Sequence, residues 1–356
     1  MEATAVFRDI VARTRGDIYI GIVGPVRTGK STFIKRFVDL MVLPLIRDEQ
    51  LKRRTRDELP QSGSGRMIMT TEPKFVPDEA VTVELPEGMR ASLRLVDCVG
   101  YTVTGALGYV DEAGLRLVRT PWSDEEMSFE KAAEMGTRKV IQDHSNIGLV
   151  VTTDGTITDL PRENYVEAEE RVIRELKELG KPFIVLLNSV NPYGDEAILL
   201  AEELSAKYGV SVVPVDCLHL TEAQIANILT NLLYEFPLRA VSVNLPDWVI
   251  ELPMEHELRE KIEKAIFDHV ANIEKAKEVA WAREKLREEI YELETALTPE
   301  MDLGYGKAKI ELNVKAEVFY EILTEITGFN VESEAGLFSL LIELGSSKKE
   351  SDKVAE

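Results

Sequence analysis

The amino-acid sequence predicts an α/β protein in which a mixed central sheet carries helices on both faces and is followed by a smaller α+β domain. Short β-branched runs alternate with amphipathic segments up to Pro237, a pattern typical of strand–helix units on a largely parallel sheet. Charged helical segments predominate after this proline. The 356 residues exceed the span of one hydrophobic core, so we expect domains at 1–238 and 239–345 and a frayed tail at 346–356.

The first domain is predicted to contain six strands and four helices. The strands are Ile18–Val23, Ala80–Leu85, Ser92–Val96, Ile147–Thr152, Phe183–Leu187 and Val210–Val215. The helices are, roughly, Lys30–Met41, Arg162–Glu178, Asp195–Tyr208 and Thr221–Tyr234. The second and third strands are separated by Pro86, Glu87 and Gly88 with little room for a helix, which predicts an antiparallel hairpin.

The second domain is predicted to centre on one long charged helix. An extended run, Ala240–Leu252, precedes a proline-free helical stretch from Glu255 to about Leu297. A strand at Lys307–Val314, a helix at Lys315–Thr327 and an apolar run at Leu337–Leu344 follow. Acidic and basic residues alternate along the long helix, so we expect most of its surface to be solvated.

The charge balance is strongly acidic. Asp and Glu number 63 and Lys and Arg 42, which gives a net charge of −21. Such a field repels nucleic-acid phosphates and anionic lipid headgroups, so nucleic acid is excluded as an expected partner. The run Arg47–Arg56 is a local basic exception, which fits an acidic face of another protomer, a lipid headgroup or a solvated loop.

Neither a membrane span nor a zinc site is expected. The sequence contains no run of ~18 uncharged apolar residues and no signal-peptide pattern, which predicts a cytoplasmic protein without a transmembrane segment. Cys98 and Cys217 lack the neighbouring Cys or His that zinc requires. We expect both to be buried packing residues in a reducing compartment.

A phosphate-binding loop follows the first strand. Gly24-Pro-Val-Arg-Thr-Gly29-Lys30-Ser31 fits the G-x-x-x-x-G-K-[ST] pattern and opens a helix, which is the context that the motif requires. Backbone N–H groups and the helix N-terminus would hold phosphates, Lys30 would reach the β- and γ-phosphates, and Ser31 would bind Mg²⁺. A glycine-rich packing turn is the alternative. The predicted nucleotide-binding residues here are Gly24, Arg27, Thr28, Gly29, Lys30, Ser31 and Thr32.

Arg27, Asp97 and Gly100 are further candidate residues of the phosphate site. Arg27 lies inside the loop and could supply positive charge in the way an arginine finger does, although a position facing solvent or a neighbouring protomer is favoured. Asp97 closes the third strand at the sheet edge where ligands of open α/β folds bind. It is the predicted second group on the Mg²⁺ side, and Gly100 is a predicted backbone donor to the γ-phosphate.

A hydroxyl switch is predicted between these motifs. Thr70 and Thr71 follow a stretch rich in Gly and Ser, and either hydroxyl could close onto Mg²⁺ when a γ-phosphate is present. Spacing does not distinguish the two, and an ordinary turn before Pro73 is the alternative. A second hydroxyl cluster, Thr152–Thr156, follows the fourth strand and is interpreted as either a site element or a strand-to-loop turn.

The segment after the fifth strand argues against guanine. GTPases of this layout carry Asn/Thr-Lys-x-Asp, whereas this chain has Asn188-Ser189-Val190-Asn191. An amide at Asn191 cannot accept both guanine hydrogen bonds that an Asp accepts, which favours ATP or loose specificity. Asn188 is a predicted nucleotide-binding residue. The water-orienting Gln that often follows the second motif is replaced by Tyr101, so hydrolysis would need another device.

Four strings carry a family resemblance. They are Asp17-Ile-Tyr-Ile-Gly-Ile-Val-Gly-Pro-Val-Arg-Thr-Gly-Lys-Ser-Thr-Phe-Ile-Lys-Arg-Phe, Asp57-Glu-Leu-Pro-Gln-Ser, Met69-Thr-Thr-Glu-Pro-Lys-Phe-Val-Pro and Asp154-Gly-Thr-Ile-Thr-Asp-Leu-Pro-Arg-Glu-Asn-Tyr. These strings are long and specific, and the likeness runs through essentially all of the chain. In these four strings the chain resembles the stage IV sporulation protein A family of endospore-forming bacteria.

The resemblance implies an ATPase on a GTPase-like P-loop NTPase fold of the translation-factor class, with ATP and Mg²⁺ as cofactors. Lys30 matches the phosphate-loop lysine, Asp97 the Walker B acid, and Thr70 and Thr71 the sensor threonines; Thr71 joins Ser31 and Asp97 as an implied metal ligand. Hydrolysis is implied to drive irreversible self-assembly into a shell around the forespore, in the mother-cell cytoplasm.

Implied partners are further copies of the chain, other spore coat morphogenetic proteins and a small membrane-bound anchoring peptide. The family continues into a C-terminal domain that we expect this sequence to lack. Two other functions remain open on the residues alone. One is a GTPase-type switch protein, and the other is a scaffold that binds nucleotide without useful hydrolysis.

Overall fold

The computed structural model describes residues 17–46, 48–57, 59, 74–84, 89–106, 110–111, 114–115, 117–120 and 123–355. The chain forms two compact units. The first comprises Met1–Ala240, Glu274–Lys277 and Glu300–Ala308, and the second Val241–Ile273, Glu278–Pro299 and Lys309–Glu356. Within the described residues, none of the helices is both long enough and apolar enough to cross a bilayer.

The first unit alternates strands with helices. Its strands are β1 (Asp17–Val23), β2 (Lys74–Glu84), β3 (Met89–Asp97), β4 (Val110–Asp111), β5 (Gly114–Leu115), β6 (Leu117–Thr120), β7 (Ser123–Ser128), β8 (Ile147–Thr153), β9 (Phe183–Asn188) and β10 (Val212–Val215). Its helices are α1 (Lys30–Phe37), α2 (Glu49–Asp57), α3 (Phe129–Lys139), α4 (Glu163–Glu178), α5 (Asp195–Tyr208) and α6 (Glu222–Tyr234). All six predicted strands and all four predicted helices of this part are present, with ends that differ by a few residues.

The central sheet is mixed, as predicted. Strands run in the order β10-β9-β8-β1-β3 and are parallel, while β2 pairs antiparallel with β3 and forms the predicted hairpin. Ile22 lies beside Asp97, and Val23 lies beside Val150. The carboxyl ends of β1, β3 and β8 therefore meet at one edge, where ligands of open α/β sheets bind.

Apolar burial fixes the helix that begins at this edge. Phe33, Ile34 and Phe37 of α1 are fully buried, and burial of such side chains stabilises by about 1.5–3 kcal/mol each. The α-helix ends at Phe37 and continues as a π-helical turn, Val38–Val42, rather than reaching Met41 in α-helical form as predicted. The buried face holds the first turn of α1 in place against the sheet.

Sequence reasoning missed α3 and the two short hairpins β4–β5 and β6–β7. Helix α3 begins after Ser128, whose side chain accepts a hydrogen bond from the Lys131 N–H at 3.3 Å. Such N-cap bonds satisfy one of the four unpaired N–H groups at a helix start. The helix buries only small residues and Phe129 on its inner side, so its apolar period is weak in the sequence.

The second unit contains both helices and strands. Its helices are α7 (Asp247–Ile250), α8 (Glu257–Val270), α9 (Ala276–Glu289), α10 (Ala316–Thr327) and α11 (Glu334–Ala355), and its strands are β11 (Ala240–Asn244), β12 (Leu293–Asp302) and β13 (Lys307–Val314). The first residues of α9, β11 and β13 and the last residues of β12 belong to the first unit. The predictions of β13 and α10 are confirmed. Strand β13 lies between β12 and β11.

Two predictions in this part are wrong. The stretch from Glu255 to about Leu297 is not one helix, because it divides into α8, α9 and the start of β12. The extended run Ala240–Leu252 is a strand only to Asn244 and then contains α7. Helix α11 includes residues of the tail as far as Ala355, and fraying of this tail stays a prediction.

Candidate functional site

The loop between β1 and α1 has backbone angles that few side chains tolerate. Gly24 has φ 137° and Gly29 has φ 100°. A Cβ atom at Gly24 would lie 2.3 Å from the Val151 carbonyl oxygen, so only glycine fits there. Arg27 has φ 63°, the one positive φ of a non-glycine residue in the described ranges, and its side chain is half-buried. Thr28 is buried, and its hydroxyl donates to the Pro25 carbonyl at 3.0 Å.

Lys30 opens α1 and is almost fully buried. Its Nζ donates to the Pro25 carbonyl oxygen at 2.6 Å and to that of Gly24 at 3.4 Å. Burial lowers the pKa of Lys30, while Cys98 and Asp97 oppose that shift. The ammonium group therefore lies on carbonyl groups of the loop itself, at the place where the sequence predicts phosphate oxygens.

A hydroxyl and a carboxylate meet beside the lysine. Ser31 Oγ donates to Asp97 Oδ2 at 3.3 Å, and Asp97 Oδ1 is buried without a hydrogen-bond partner within the described residues. Burial raises the pKa of Asp97 to about 6, and Lys30 and Ser31 oppose the shift. A buried carboxylate oxygen without a partner is costly, and hard oxygen ligands of this kind suit Mg²⁺. The residues present therefore fit the predicted cation.

Gly100 packs directly against the loop. It has φ 98°, and a Cβ atom there would lie 2.3 Å from the Gly24 carbonyl oxygen and 2.5 Å from Lys30 Nζ. Its N–H, predicted to serve the γ-phosphate, donates instead to the buried Thr137 hydroxyl of α3 at 3.1 Å. That hydroxyl in turn donates to the Ala133 carbonyl at 2.8 Å.

Asn188 ends β9, and its amide connects two loops of the protein. Its Nδ2 donates to the Thr28 carbonyl at 2.9 Å, and its Oδ1 accepts the Cys217 N–H at 3.0 Å. Both polar atoms of the amide are thus engaged, and a Cβ atom at Gly29 would meet Nδ2 at 2.3 Å. This geometry makes Asn188 a support of the phosphate loop, while Asn191 lies exposed three residues later.

The second hydroxyl cluster forms a turn. The Thr153 hydroxyl accepts the Gly155 N–H at 3.0 Å, Asp154 Oδ1 accepts the Thr156 N–H at 2.9 Å, and the Thr156 hydroxyl accepts the Val190 N–H at 3.0 Å. Residues 153–156 therefore form a turn at the end of β8. These bonds connect the loop after β8 with the loop after β9 at the same sheet edge.

Behind that turn lies a buried charge that the sequence did not indicate. Glu169 of α4 is fully buried and accepts hydrogen bonds from Arg162 at 2.7 Å, from Tyr208 at 2.5 Å and from Thr152. Burial and the Glu169 carboxylate raise the pKa of Tyr208. Four groups thus satisfy one another in the first unit, since a buried carboxylate is stable only when it is paired.

Both cysteines lie close to this edge and are buried, as predicted. Burial raises the pKa of Cys98 to about 11 and raises that of Cys217 further. Cys98 Sγ contacts the Ile22 carbonyl oxygen at 3.4 Å. Both thiols are therefore protonated near neutral pH.

The structure brings together most, but not all, of the predicted site residues. Gly24, Thr28, Gly29, Lys30, Ser31, Asp97, Gly100 and Asn188 surround one edge of the sheet, with Arg27 and Thr32 in the same loop and helix turn. Thr70 and Thr71 lie outside the described residues. Thr137 was missed because α3 was not predicted, and its contact joins elements distant in sequence.

Comparison with known proteins gives matches over both units. The family model described as "Stage IV sporulation protein A, ATPase domain" matches residues 1–237, and the one described as "Stage IV sporulation protein A, middle domain" matches residues 238–356. Curated relatives named "Stage IV sporulation protein A" are 48% identical over 360 residues in Bacillus anthracis and 47% identical over 356 residues in Bacillus subtilis (strain 168). Each alignment covers 100% of this chain and 72% of the relative. A relative of the same name from Clostridioides difficile (strain 630) is 46% identical over 349 residues, which is 98% of this chain and 71% of its own.

Proposed function

The chain belongs to the stage IV sporulation protein A family, and we propose that it is a Mg²⁺-dependent ATP hydrolase whose turnover drives its own assembly into the basement layer of the spore coat. The single observation that carries the hydrolase part is the pair of Ser31, beside the phosphate loop, and Asp97, at the end of β3, in which the buried Asp97 Oδ1 has no hydrogen-bond partner among the residues that the structure describes. The family's ATPase domain over residues 1–237 supports ATP as the substrate.

The residues at this edge of the sheet have separate roles in the proposed hydrolase. The loop N–H groups and the N-terminus of α1 bind phosphate oxygens. Lys30 exchanges the Pro25 carbonyl for those oxygens, which gives its buried charge a stronger partner. Ser31 and Asp97 would hold Mg²⁺, which neutralises phosphate charge when bound. Gly100 would leave Thr137 to donate to the γ-phosphate.

Three further residues have predicted roles in this proposal. Thr70 and Thr71 act at the γ-phosphate, and Arg27 faces solvent or a neighbouring protomer. Asn191 provides an amide where guanine recognition uses a carboxylate, which disfavours GTP because a guanine donor would remain unpaired. The family resemblance supports the assembly part, the forespore surface as its location, and coat proteins and a membrane-bound anchoring peptide as partners.

The hydrolase part is tested by phosphate release from ATP and from GTP, with Mg²⁺ and purified protein. We expect turnover of ATP above GTP, and loss of that turnover in Asp97→Ala and in Lys30→Ala. Lys35→Ala is the matched control, because Lys35 lies on the same helix and is exposed. A preference for GTP would instead support the switch protein, and nucleotide binding without turnover would support the scaffold.

The assembly part needs its own measurement. Sedimentation of the wild-type protein after incubation with ATP, with ADP and with a non-hydrolysable ATP analogue separates binding from turnover. We expect pelletable polymer only with ATP, and none from Asp97→Ala. Polymer that forms equally with all three nucleotides, or without any, would contradict the coupling of assembly to hydrolysis.

A further inference from the structure

The main chain of Tyr101 holds the phosphate loop from the side of β3. Its N–H donates to the Gly24 carbonyl at 3.2 Å, and its carbonyl accepts the Val26 N–H at 2.8 Å. Pro25 lies between these two partners and forms a parallel bridge with Tyr101. The first three residues of the loop are therefore paired with a single residue that lies four positions after Asp97.

The side chain of Tyr101 is fixed independently of the sheet. The ring is fully buried, and its hydroxyl donates to Glu175 Oε2 of α4 at 2.5 Å. The Arg171 guanidinium lies 4.2 Å from the ring centroid and binds both carboxylate oxygens of Glu134 on α3, at 2.8 and 3.0 Å. Two helices thus hold one tyrosine ring through a hydrogen bond and a cation–π contact.

This arrangement excludes a role for the Tyr101 side chain in orienting water. The hydroxyl is committed to Glu175, and burial together with this carboxylate raises the pKa of Tyr101, so the group stays a neutral donor. The loop that it holds contains a strained conformation at Arg27, a non-glycine residue with φ 63°. Such conformations persist only when the surrounding structure determines them.

We propose that Tyr101 is a positioning residue: its anchored ring holds its main chain against Gly24 and Val26, and so keeps the phosphate loop in the shape that binds nucleotide. The inference rests on the proposed function insofar as that loop binds a nucleoside phosphate. It assigns α3 and α4, through Glu134, Arg171 and Glu175, a part in nucleotide affinity.

The test compares Tyr101, whose main chain is bonded to the phosphate loop, with Tyr208, whose hydroxyl also donates to a glutamate. Tyr101→Phe removes a hydroxyl that donates to the half-buried Glu175 at 2.5 Å, and Tyr208→Phe removes one that donates to the fully buried Glu169 at the same distance. Each variant loses one hydrogen bond from a tyrosine hydroxyl to a glutamate. Tyr208, however, makes no main-chain contact with the phosphate loop within the described residues, so it controls for lost stability.

We expect Tyr101→Phe to weaken ADP and ATP binding about fivefold in nucleotide titrations with Mg²⁺, which corresponds to one lost buried hydrogen bond. Tyr208→Phe should bind as the wild type does, although both variants unfold at lower temperature. Glu175→Gln keeps an acceptor oxygen and should bind within about twofold of wild type, whereas Glu175→Leu should resemble Tyr101→Phe. Wild-type affinity in Tyr101→Phe, or equal weakening in Tyr208→Phe, would overturn the inference.

Amide hydrogen exchange makes the result independent of hydrolysis. Peptides that cover residues 24–37 should exchange faster in Tyr101→Phe than in Tyr208→Phe without any nucleotide. Suppose that the wild-type protein binds ADP but releases no phosphate from ATP, and that exchange is faster in Tyr101→Phe than in Tyr208→Phe. The proposed function then fails and the positioning role stands. If ATP turnover is normal and exchange is equal in the two variants, the positioning role fails alone.

Discussion

Ser31 Oγ lies 3.3 Å from Asp97 Oδ2, and this contact joins the first turn of α1 to the last residue of β3. Sixty-six positions separate the two residues in sequence. They meet because β1 and β3 are parallel and Ile22 lies beside Asp97. A parallel pair in this register places the residue that ends one strand next to the loop that leaves the other, which creates the oxygen pair that suits a cation.

Asp97→Asn is expected to stabilise the folded protein while it removes turnover. The pKa of Asp97 is raised from 3.8 to about 6 by burial, so the folded state loses stability as pH rises through this interval and carries the full cost above it. The amide removes that cost. We expect thermal unfolding at pH 7.5 without Mg²⁺ to shift upward by about 2–4 °C per kcal/mol recovered. A lower unfolding temperature would contradict a net cost of the buried charge.

The same pKa predicts how the cation requirement depends on pH. If Asp97 holds Mg²⁺ as proposed, protons and Mg²⁺ compete for its carboxylate, which is protonated in the folded state below about pH 6. The Mg²⁺ concentration for half-maximal nucleotide binding is therefore expected to rise as pH falls from 7.5 to 5.5. Titrations at fixed nucleotide measure this shift. Asp97→Asn serves as the control, since its Mg²⁺ response should be weak and flat over the same range.

Gly100→Ala is expected to abolish nucleotide binding. The added Cβ would lie 2.3 Å from the Gly24 carbonyl oxygen and 2.5 Å from Lys30 Nζ, at φ 98°. Gly209→Ala is the matched control, because Gly209 also has a positive φ of 65° but nothing lies within 4 Å of its Cβ position. Both variants should lose about 1 kcal/mol from backbone strain. Only the first should lose ADP binding in a titration of folded protein, and equal binding by both would refute the steric argument.

Arg162→Met is expected to destabilise the first unit strongly. Glu169 is fully buried, and Arg162 is its cationic partner at 2.7 Å. Removal of one member of a buried ion pair typically costs about 3–5 kcal/mol, because the other charge stays buried. Chemical denaturation measures this loss, and the double variant with Glu169→Gln should recover much of it. Lys207→Met breaks the exposed pair with Glu170 and should cost only about 0–1 kcal/mol.

The double variant Thr70→Ala with Thr71→Ala is expected to bind ATP nearly as the wild type does but to lose turnover. A switch hydroxyl acts mainly at the γ-phosphate, whereas loop N–H groups and Lys30 supply most of the binding. Nucleotide titration and phosphate release measure the two effects separately. Thr82→Ala, an exposed strand position, is the control. Loss of binding in the double variant would show that these threonines hold the nucleotide itself.

The first unit was largely predictable because its strands are continuous apolar runs. Every residue of β8 and of β9 is buried, and parallel strands covered on both faces have this unbroken composition. The phosphate loop was predictable for a different reason. Its glycines meet a backbone requirement and Lys30 supplies a side chain for phosphate, a combination at fixed spacing that few other sequences have. Local chemistry and composition therefore indicated the sheet and the loop.

The long helix from Glu255 to Leu297 shows where such reasoning fails. Backbone groups of residues 274–276 pair with Phe236 and Leu238 instead of continuing a helical ladder, and Lys275 and Lys277 both bind Glu235. These bonds join positions about forty residues apart, which periodicity cannot indicate. A charged sequence with helical spacing remained compatible with one helix until its tertiary partners were known.

Site residues that act through tertiary contact were missed for the same reason. Thr137 of α3 meets Gly100 after β3, and Glu175 of α4 meets Tyr101, so both contacts join elements that are distant in sequence. Asn188, a predicted nucleotide-binding residue, also joins Thr28 to Cys217 through its amide, which the motif does not indicate. The motif identified which segments form the site, and the fold determines which side chains support it.

Because both thiols are buried, their rate of reaction with a thiol reagent reports how often the sheet edge beside the phosphate loop opens. Cys98 follows Asp97 directly, and the Cys217 N–H is bonded to Asn188, yet neither sulfur is accessible and both remain protonated near neutral pH. A thiol-reactive dye can therefore label the protein only when this edge of the sheet opens. Labelling rates with and without nucleotide would report, without any introduced probe, how tightly a bound ligand closes the region.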